Sequence, residues 1–153
     1  MSANGRLPNG ALSKIPGGRL KMGAPARSWL AMRYYIMRHY RGLAITPTGP
    51  SSSYRTLAKQ QEFYRNYQNG TGALAARPGT SNHGLGLAVD VPTPAMQAAI
   101  RECGHLFGWG IRGGRLTSDA PSEAWHCTYR GPYTRFARGW YWRRRLAIRR
   151  SSR

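Results

Sequence analysis

The sequence predicts an α+β fold in which a small antiparallel sheet is flanked by helices. Two short segments, residues 85–91 and 125–130, alternate apolar with small or polar side chains, which is the two-residue period of strands. Residues 94–107 instead repeat apolar side chains every three or four positions, as in a helix packed on a core. With 153 residues and no run of 18 apolar positions, we expect one folded domain and no transmembrane helix.

Helix-capping residues and glycines that end helices locate the remaining elements. Ser28 and Thr56 each precede a stretch with helical spacing and can accept a hydrogen bond from its first turn. Thr93 starts a third helix, which Gly108 ends. The predicted order is a basic arm (1–27), a helix (29–40), two strands (43–46, 52–55), a helix (57–67), a loop (70–79), a strand (85–91), a helix (94–107), a strand (109–111), a loop (112–122) and a strand (125–130).

Two segments hold most of the residues that can carry chemistry. Only five residues of the chain are acidic and four are histidines. His83 precedes the first strand-like alternation and Asp90 lies within it, whereas Glu123 precedes the second alternation and His126 lies within it. Adjacent strands would bring these four side chains to one point, although they are distant in sequence.

These side chains have the composition of a hydrolytic zinc centre. His83, Asp90 and His126 offer two imidazole nitrogens and one carboxylate oxygen, and catalytic zinc sites use three protein ligands. Glu123 is then free to take a proton from a bound water. Either segment alone is as compatible with a buried structural histidine as with a metal ligand. Both segments together, with the additional glutamate, favour the metal.

The same segments resemble the signatures of the VanY-like D-alanyl-D-alanine carboxypeptidases. That family belongs to the zinc peptidase superfamily that includes lysostaphin and the hedgehog signalling domain. Its pattern is Ser-x-His-x-x-Gly-x-Ala-x-Asp followed by Glu-x-Trp-His. The matching residues are Ser81, His83, Gly86, Ala88 and Asp90, then Glu123, Trp125 and His126, with Ser53-Tyr54-Arg55-Thr56 as a third element. The resemblance covers about residues 29–129, and Ala124 stands where the family often has proline.

The resemblance implies a role for each site residue. His83, Asp90 and His126 would bind one Zn²⁺ ion, and Glu123 would be the general base and acid. Arg55 would stabilise the oxyanion or hold a substrate carboxylate through its planar set of donors. Ser81 would hydrogen-bond the substrate. The implied partner is bacterial peptidoglycan, whose stem peptide contains the bonds that the family cuts.

The resemblance leaves several functions open. A D-alanyl-D-alanine carboxypeptidase and an L-alanyl-D-glutamate endopeptidase of the phage endolysin type both fit the residues. The alternative is a non-catalytic module on the same fold that binds the cell wall or a polyanion, although Glu123 argues against it. Residues 1–11 show no signal-peptide pattern, so we expect synthesis in the host cytoplasm, followed by release to the wall or transport on a phage particle.

The charge of the chain predicts anionic partners. The formal net charge is +19, from 24 basic and 5 acidic residues. Residues 138–153 form a basic and aromatic C-terminal tail, which follows a peptidase domain over 28–137 and the arm over 1–27. This tail is predicted either to be solvated and partly disordered or to bind anionic wall polymers, lipopolysaccharide or a membrane surface. No signature of specific nucleic-acid binding is present, and we expect a monomer.

The remaining histidines and the cysteines are expected to be structural. His39 and His105 lie on predicted helices, away from both segments of the proposed zinc site. Cys103 and Cys127 lack the spacing of a zinc motif. We expect two free thiols in or near the core, while a disulfide between them stays open at this point.

Overall fold

Helices and strands are mixed along the chain in the computed structural model, which describes residues 3–153. Its strands form two antiparallel sheets, the hairpin β1–β2 and a three-stranded sheet with the order β3-β5-β4. The α+β prediction is confirmed. The elements are β1 (Leu12–Ile15), β2 (Gly18–Lys21), α1 (Ala24–His39), α2 (Leu57–Gln68), β3 (Ala88–Asp90), α3 (Pro94–Cys103), β4 (Trp109–Ile111), β5 (His126–Tyr129) and α4 (Arg135–Ser151).

The hydrophobic core lies between α1 and one face of the three-stranded sheet. Trp29 of α1 is fully buried, and its ring meets the ring of Trp109 on β4 edge-on at 5.0 Å. Val89 of β3 and Cys127 of β5 are paired neighbours and belong to the same core. Because side chains alternate between the faces of a sheet, the next pair, Asp90 and His126, lies on the opposite face. The core therefore fixes which face can carry a functional site.

Two of the three predicted helix caps are confirmed. Thr56 and Thr93 accept hydrogen bonds from the backbone N–H groups of Lys59 and Met96, and α2 and α3 begin directly after them. The helix predicted over 94–107 changes to a 3₁₀ turn after Cys103, and Gly108 closes this turn with φ 74°. Ser28, the third predicted cap, lies inside α1 instead, where its buried hydroxyl donates to the carbonyl of Phe107.

The basic arm predicted over 1–27 differs from the structure, and its first two residues lie outside the described part of the chain. Residues 12–21 form the β1–β2 hairpin, in which Leu12, Ile15 and Leu20 are buried. Pro16 and Gly17, the latter with φ 83°, form its turn, a pairing typical of type II turns. The first helix was predicted over 29–40, but α1 begins at Ala24, with Pro25 in the first turn, where proline is compatible with a helix.

The two strands predicted over 43–46 and 52–55 are wrong. No strand is assigned there, and Pro50–Ser52 forms a 3₁₀ turn. The segment instead hydrogen-bonds to two separate partners, since Tyr54 N–H donates to the Arg19 carbonyl and Arg55 N–H to the His83 carbonyl. These single bonds to different elements replace a regular ladder, and they attach Arg55 to the segment that carries His83.

The C-terminal tail predicted over 138–153 is largely helical. It belongs to α4, which starts at Arg135, is capped by the Thr134 hydroxyl and packs along α1. Ala137 is fully buried, and the ring of Trp140 lies 5.0 Å from the ring of Tyr35. The disordered alternative is therefore wrong for this segment. Among residues 3–153, no helix combines the length and the apolar composition that a membrane span needs.

The cysteines and the two other histidines have the expected structural character. Cys103 and Cys127 are buried free thiols. His39 stacks against Tyr35 and Trp140, at ring distances of 4.3 and 5.5 Å, and so joins α1 to α4. Burial lowers the pKa of His105, which lies in the 3₁₀ turn after α3.

The packing of α1 predicts a large difference between two tryptophan substitutions. Trp29→Ala should lower the free energy of unfolding by about 3–5 kcal/mol, because it removes a fully buried ring from the core. Trp142→Ala is the matched control and should change it by about 0.5 kcal/mol or less, because Trp142 is 55% exposed. Urea unfolding of both variants measures the difference, and equal losses would contradict this core.

Candidate metal centre

The pairing of β3 with β5 brings two of the predicted metal ligands together. Asp90 and His126 are directly opposite each other in the antiparallel register. His126 Nδ1 lies 2.9 Å from Asp90 Oδ1. The bond from Val91 N–H to the Trp125 carbonyl, 3.1 Å long, extends the pairing by one step beyond β3. The sheet register therefore fixes this contact.

The third predicted ligand reaches the sheet from a short turn. Residues 82–85 form a 3₁₀ turn rather than the beginning of the predicted strand over 85–91, of which only Ala88–Asp90 is a strand. The Ser81 hydroxyl accepts a hydrogen bond from His83 N–H at the start of this turn. Gly86 ends it with φ 68°, a left-handed conformation that glycine adopts readily. The turn places His83 Nε2 3.2 Å from Asp90 Oδ1.

Each imidazole has a hydrogen-bond partner on the side of the ring that faces away from Asp90. His83 Nδ1 lies 2.9 Å from the Ser53 carbonyl oxygen, which can only accept, so Nδ1 carries the proton. His126 Nε2 lies 3.1 Å from the Thr128 hydroxyl oxygen, which accepts when Nε2 carries the proton, the tautomer that leaves Nδ1 free for a metal. Burial lowers the pKa of His83, although Asp90 opposes this effect, so the ring is neutral near pH 7. The inner nitrogens then carry lone pairs.

This arrangement fits a bound cation. Two lone-pair nitrogens face the carboxylate of Asp90, which is ionised near pH 7 and has the Arg55 guanidinium 3.4 Å from its Oδ2. Three acceptor atoms this close repel one another unless a positive ion lies between them. Their separations of 2.9 and 3.2 Å are near the ligand spacing of about 3.3 Å that tetrahedral zinc bonds of 2.0–2.1 Å require.

No second cluster of this kind occurs in residues 3–153. The ligand atoms of His83, Asp90 and His126 lie within 4.8 Å of one another, and no other three His, Cys, Asp or Glu side chains come together in this way. Cys103, Cys127 and His105 are therefore not part of a metal-binding group in the described chain.

The predicted proton-transfer residue lies beside the ligands. Glu123 and His126 begin and end a tight turn, in which His126 N–H donates to the Glu123 carbonyl at 3.1 Å. The Glu123 side chain lines the same cavity as the three ligands. Burial raises the pKa of Glu123, and so does the charge of Asp90, whereas His126 and Arg55 lower it in part. A carboxylate with a raised pKa is a stronger base than an exposed one.

The guanidinium of Arg55 also lies at the centre. Its Nη2 is 3.4 Å from Asp90 Oδ2, and its Nε donates to the Ser51 carbonyl at 2.9 Å. The planar group stacks over the ring of Phe63, 4.6 Å from the ring centroid. Burial lowers the pKa of Arg55, which Asp90 and Glu123 partly oppose, but a guanidinium stays charged.

All six predicted site residues line one cavity of about 490 Å³. Ser81 is among them, although its hydroxyl also caps the turn that carries His83. Residues 72–76 form part of the wall, and so do Asp119 and Ala120. Both predicted loops, 70–79 and 112–122, thus contribute to it.

Several functional neighbours escaped the sequence analysis. Thr128 lies two residues after His126 on the same strand, so the alternation of side chains could have placed it on the site face. Phe63 lies in α2, and its contact with Arg55 depends on tertiary packing that no local pattern indicates. Asp119 lies in the predicted loop 112–122 and was not singled out as a site residue. It lines the cavity and pairs with Arg130 and Asn82.

Comparison with known protein families identifies the family of this chain. A family model described as D-alanyl-D-alanine carboxypeptidase, VanY, matches residues 40–132, which is more than half of the chain and includes all six site residues. The chain belongs to the VanY family. The resemblance noted in the sequence is confirmed, and with it the assignment to a family of peptidases. Comparison with curated proteins finds no match.

Solved structures of carboxypeptidases share the fold of this VanY-family chain. VanYB in complex with D-alanine-D-alanine is 25% identical with a TM-score of 0.56, over 86% of this chain and 82% of that chain. A Zn(II) complex of VanY from a VanB-type vancomycin resistance cassette is 23% identical with a TM-score of 0.56, over 85% and 83%. The LD-carboxypeptidase LdcB is 19% identical with a TM-score of 0.60, over 90% and 75%.

The hydrogen bond from His126 to Thr128 predicts a change in metal affinity. Thr128→Val keeps the shape of the side chain but removes the oxygen that holds Nε2, so affinity for zinc should fall by about 10–100-fold. Thr117→Val, at an exposed loop position, is the matched control and should leave affinity unchanged. Competition with a zinc chelator measures both variants. A Thr128→Val protein with wild-type affinity would contradict the proposed proton assignment.

Proposed function

We propose that this VanY-family protein is a zinc-dependent peptidase that hydrolyses amide bonds in the stem peptide of bacterial peptidoglycan. The reaction that we favour is removal of a terminal D-alanine. The observation that carries the proposal is the convergence of His83, Asp90 and His126 on one point, with Glu123 and Arg55 in the same cavity. The whole set lies in the range that matches the family model.

The three ligands would hold the metal, and Glu123 would move the proton. Zinc bound by His83, Asp90 and His126 lowers the pKa of water and polarises a carbonyl group. Glu123 takes the proton of the attacking water and returns it to the leaving amine. Ser53 and Thr128 keep the imidazoles in the required tautomers, because each holds the ring nitrogen that faces away from the centre.

Arg55 would orient the substrate or stabilise its developing negative charge. Its guanidinium lies 3.4 Å from Asp90, one of the residues that would hold the metal, so it would be within reach of a substrate oxygen in this cavity. The Ser51 carbonyl and the ring of Phe63 restrict its position, which lowers the entropy cost of binding an anion. The terminal carboxylate of a stem peptide and the oxyanion of the transition state are both suitable ligands for it.

The known relatives favour the carboxypeptidase reaction over an internal cut. VanYB has been solved with D-alanine-D-alanine, and LdcB is an LD-carboxypeptidase. A lytic endopeptidase of the phage type stays the second candidate, because the side chains at the metal can serve either bond. The non-catalytic alternative is not favoured, since it assigns no role to a glutamate with a raised pKa beside the ligands.

Mass spectrometry of peptidoglycan fragments tests the reaction and names the bond. Incubation with the zinc-loaded protein should release one alanine from pentapeptide stems. A cut within the stem instead would support the endopeptidase. Unchanged fragments from every wall type, with zinc bound, would contradict the peptidase.

Replacement of Glu123 should separate metal binding from turnover. Glu123→Gln keeps the size of the side chain but cannot take a proton, so kcat should fall by about 10²–10⁴-fold while bound zinc and the fold persist. His83→Ala is the comparison variant and should lose the metal as well as the activity. Metal analysis and stem-peptide turnover give both readouts. A Glu123→Gln protein with full activity would contradict the assigned base.

The raised pKa of Glu123 predicts an acid limit to the reaction. Glu123 accepts a proton only when ionised, so kcat/KM should fall as the pH drops through its pKa. Burial raises this pKa and the charge of a bound cation lowers it, so the midpoint of the fall measures the balance of the two effects. A pH profile, with bound zinc measured at each point, separates this effect from metal loss. A kcat/KM that does not fall with pH while zinc stays bound would refute the assignment of Glu123 as the base.

A further inference from the structure

The outward side of α4 presents large apolar side chains in a strongly basic setting. Trp142 and Leu146 are 55% and 54% exposed, and they lie on the same side of the helix because they are four residues apart. The exposed guanidinium of Arg145 stacks over the Trp142 ring at 5.4 Å. Single exposed apolar residues are common on protein surfaces, but two that adjoin among arginines form a distinct patch.

The two packed helices carry positive charge with no acidic residue. α1 contains three arginines and α4 contains seven, and neither contains Asp or Glu. By contrast, three of the five acidic residues of the chain, Asp90, Asp119 and Glu123, line the metal-site cavity. Opposite charges are therefore concentrated in different parts of the molecule. The basic part forms a helix about 25 Å long, at a rise of 1.5 Å per residue.

A groove between α1 and α4 continues this surface. It has a volume of about 280 Å³, and the side chains of Arg38, Arg143 and Arg150 line it together with Trp140 and Leu146. Arg143 stacks over the Trp140 ring at 4.8 Å, so one wall combines a cation with an apolar ring. Such a lining suits a ligand that has both an anionic group and an apolar part.

We propose that the outward side of α4 and this groove bind the surface of an anionic phospholipid bilayer. The arginines alone would serve any polyanion, including a soluble one. Trp142 and Leu146 contribute favourably to binding only where their apolar side chains can be buried. The bilayer interface offers both anionic headgroups and acyl chains. The combination of charge and exposed apolar side chains therefore selects a bilayer over a soluble polymer.

The fold leaves the metal site accessible in this orientation. α4 packs on α1, and α1 packs on the core face of the sheet through residues such as Trp29. Asp90 and His126 lie on the other face. A bilayer bound at α4 would thus lie across the sheet from the cavity and would leave it open to a substrate. This inference does not depend on which bond the site cuts.

Vesicle sedimentation of the full-length, zinc-loaded protein tests the proposal. Vesicles of equimolar phosphatidylglycerol and phosphatidylcholine should bind the protein, and pure phosphatidylcholine should not. The triple variant Arg138→Gln, Arg145→Gln, Arg149→Gln removes exposed charges from α4 and should weaken binding about a hundredfold, at roughly 1 kcal/mol per charge.

A second triple variant controls for net charge. Lys14→Gln, Arg65→Gln, Arg112→Gln also removes three exposed charges, but outside α4. Its binding should stay within about threefold of wild type, because charges more than about 10 Å from the bilayer are screened. Equal weakening by both triple variants would overturn the proposal in favour of a diffuse effect of net charge.

A third variant distinguishes a bilayer from a soluble polyanion. Trp142→Ser with Leu146→Ser keeps every charge and should weaken vesicle binding by about tenfold or more, since it removes the apolar contribution. Its binding to soluble polyphosphate should equal that of the wild type. Unchanged vesicle binding would overturn the bilayer assignment and indicate a polyanion surface instead. Circular dichroism and zinc content confirm that each variant is folded.

Discussion

The rest of the site depends on the repulsion between three acceptor groups at the end of one strand pair. Asp90 and His126 face each other because β3 and β5 pair in that register, and the turn over 82–85 adds His83. The Ser53 carbonyl fixes the proton of His83 on the far side of its ring, and the Thr128 hydroxyl can accept the proton of His126 on the far side of that ring. The inner atoms cannot then satisfy one another, and a cation between them removes the conflict. This requirement gives a role to Asp90, one of only five acidic residues in the chain.

The two faces of the sheet separate packing from chemistry. Val89 and Cys127 occupy the core face, and their neighbours Asp90 and His126 occupy the other. A shift of one residue in the register would bury the ligands in the core and expose Val89 and Cys127. The apolar core on one face therefore stabilises the register that forms the metal centre on the other. Arg55 and Glu123 are added by loops that this rigid sheet positions.

Side-chain chemistry made the site predictable from the sequence, whereas local conformation was harder to read. The donor types and spacings of His83, Asp90 and His126 already indicated zinc, and the threonines before α2 and α3 marked their starts. Short apolar segments gave poorer predictions. Residues 43–46 have strand-like composition, but they have no neighbouring strand with which to form a ladder. Strand formation depends on such a partner, which composition does not show.

The predictions for the two terminal segments failed for a related reason. Their glycine, proline and arginine content resembles that of unstructured chain, yet Pro16-Gly17 forms a hairpin turn and α4 packs on α1. α4 is held by a few inward residues such as Ala137 and Trp140, and the many outward arginines mask that pattern in the sequence. Tertiary contacts, rather than composition, decide the structure of both segments.

X-ray absorption spectroscopy of the zinc-loaded protein tests the central claim most directly, because it reads the ligands of the bound ion. The account predicts a four-coordinate ion with two imidazole nitrogens and oxygen ligands at about 2.0–2.2 Å. A sulfur ligand near 2.3 Å would place Cys127 or Cys103 at the metal and contradict the account. A shell without imidazole would contradict it as well.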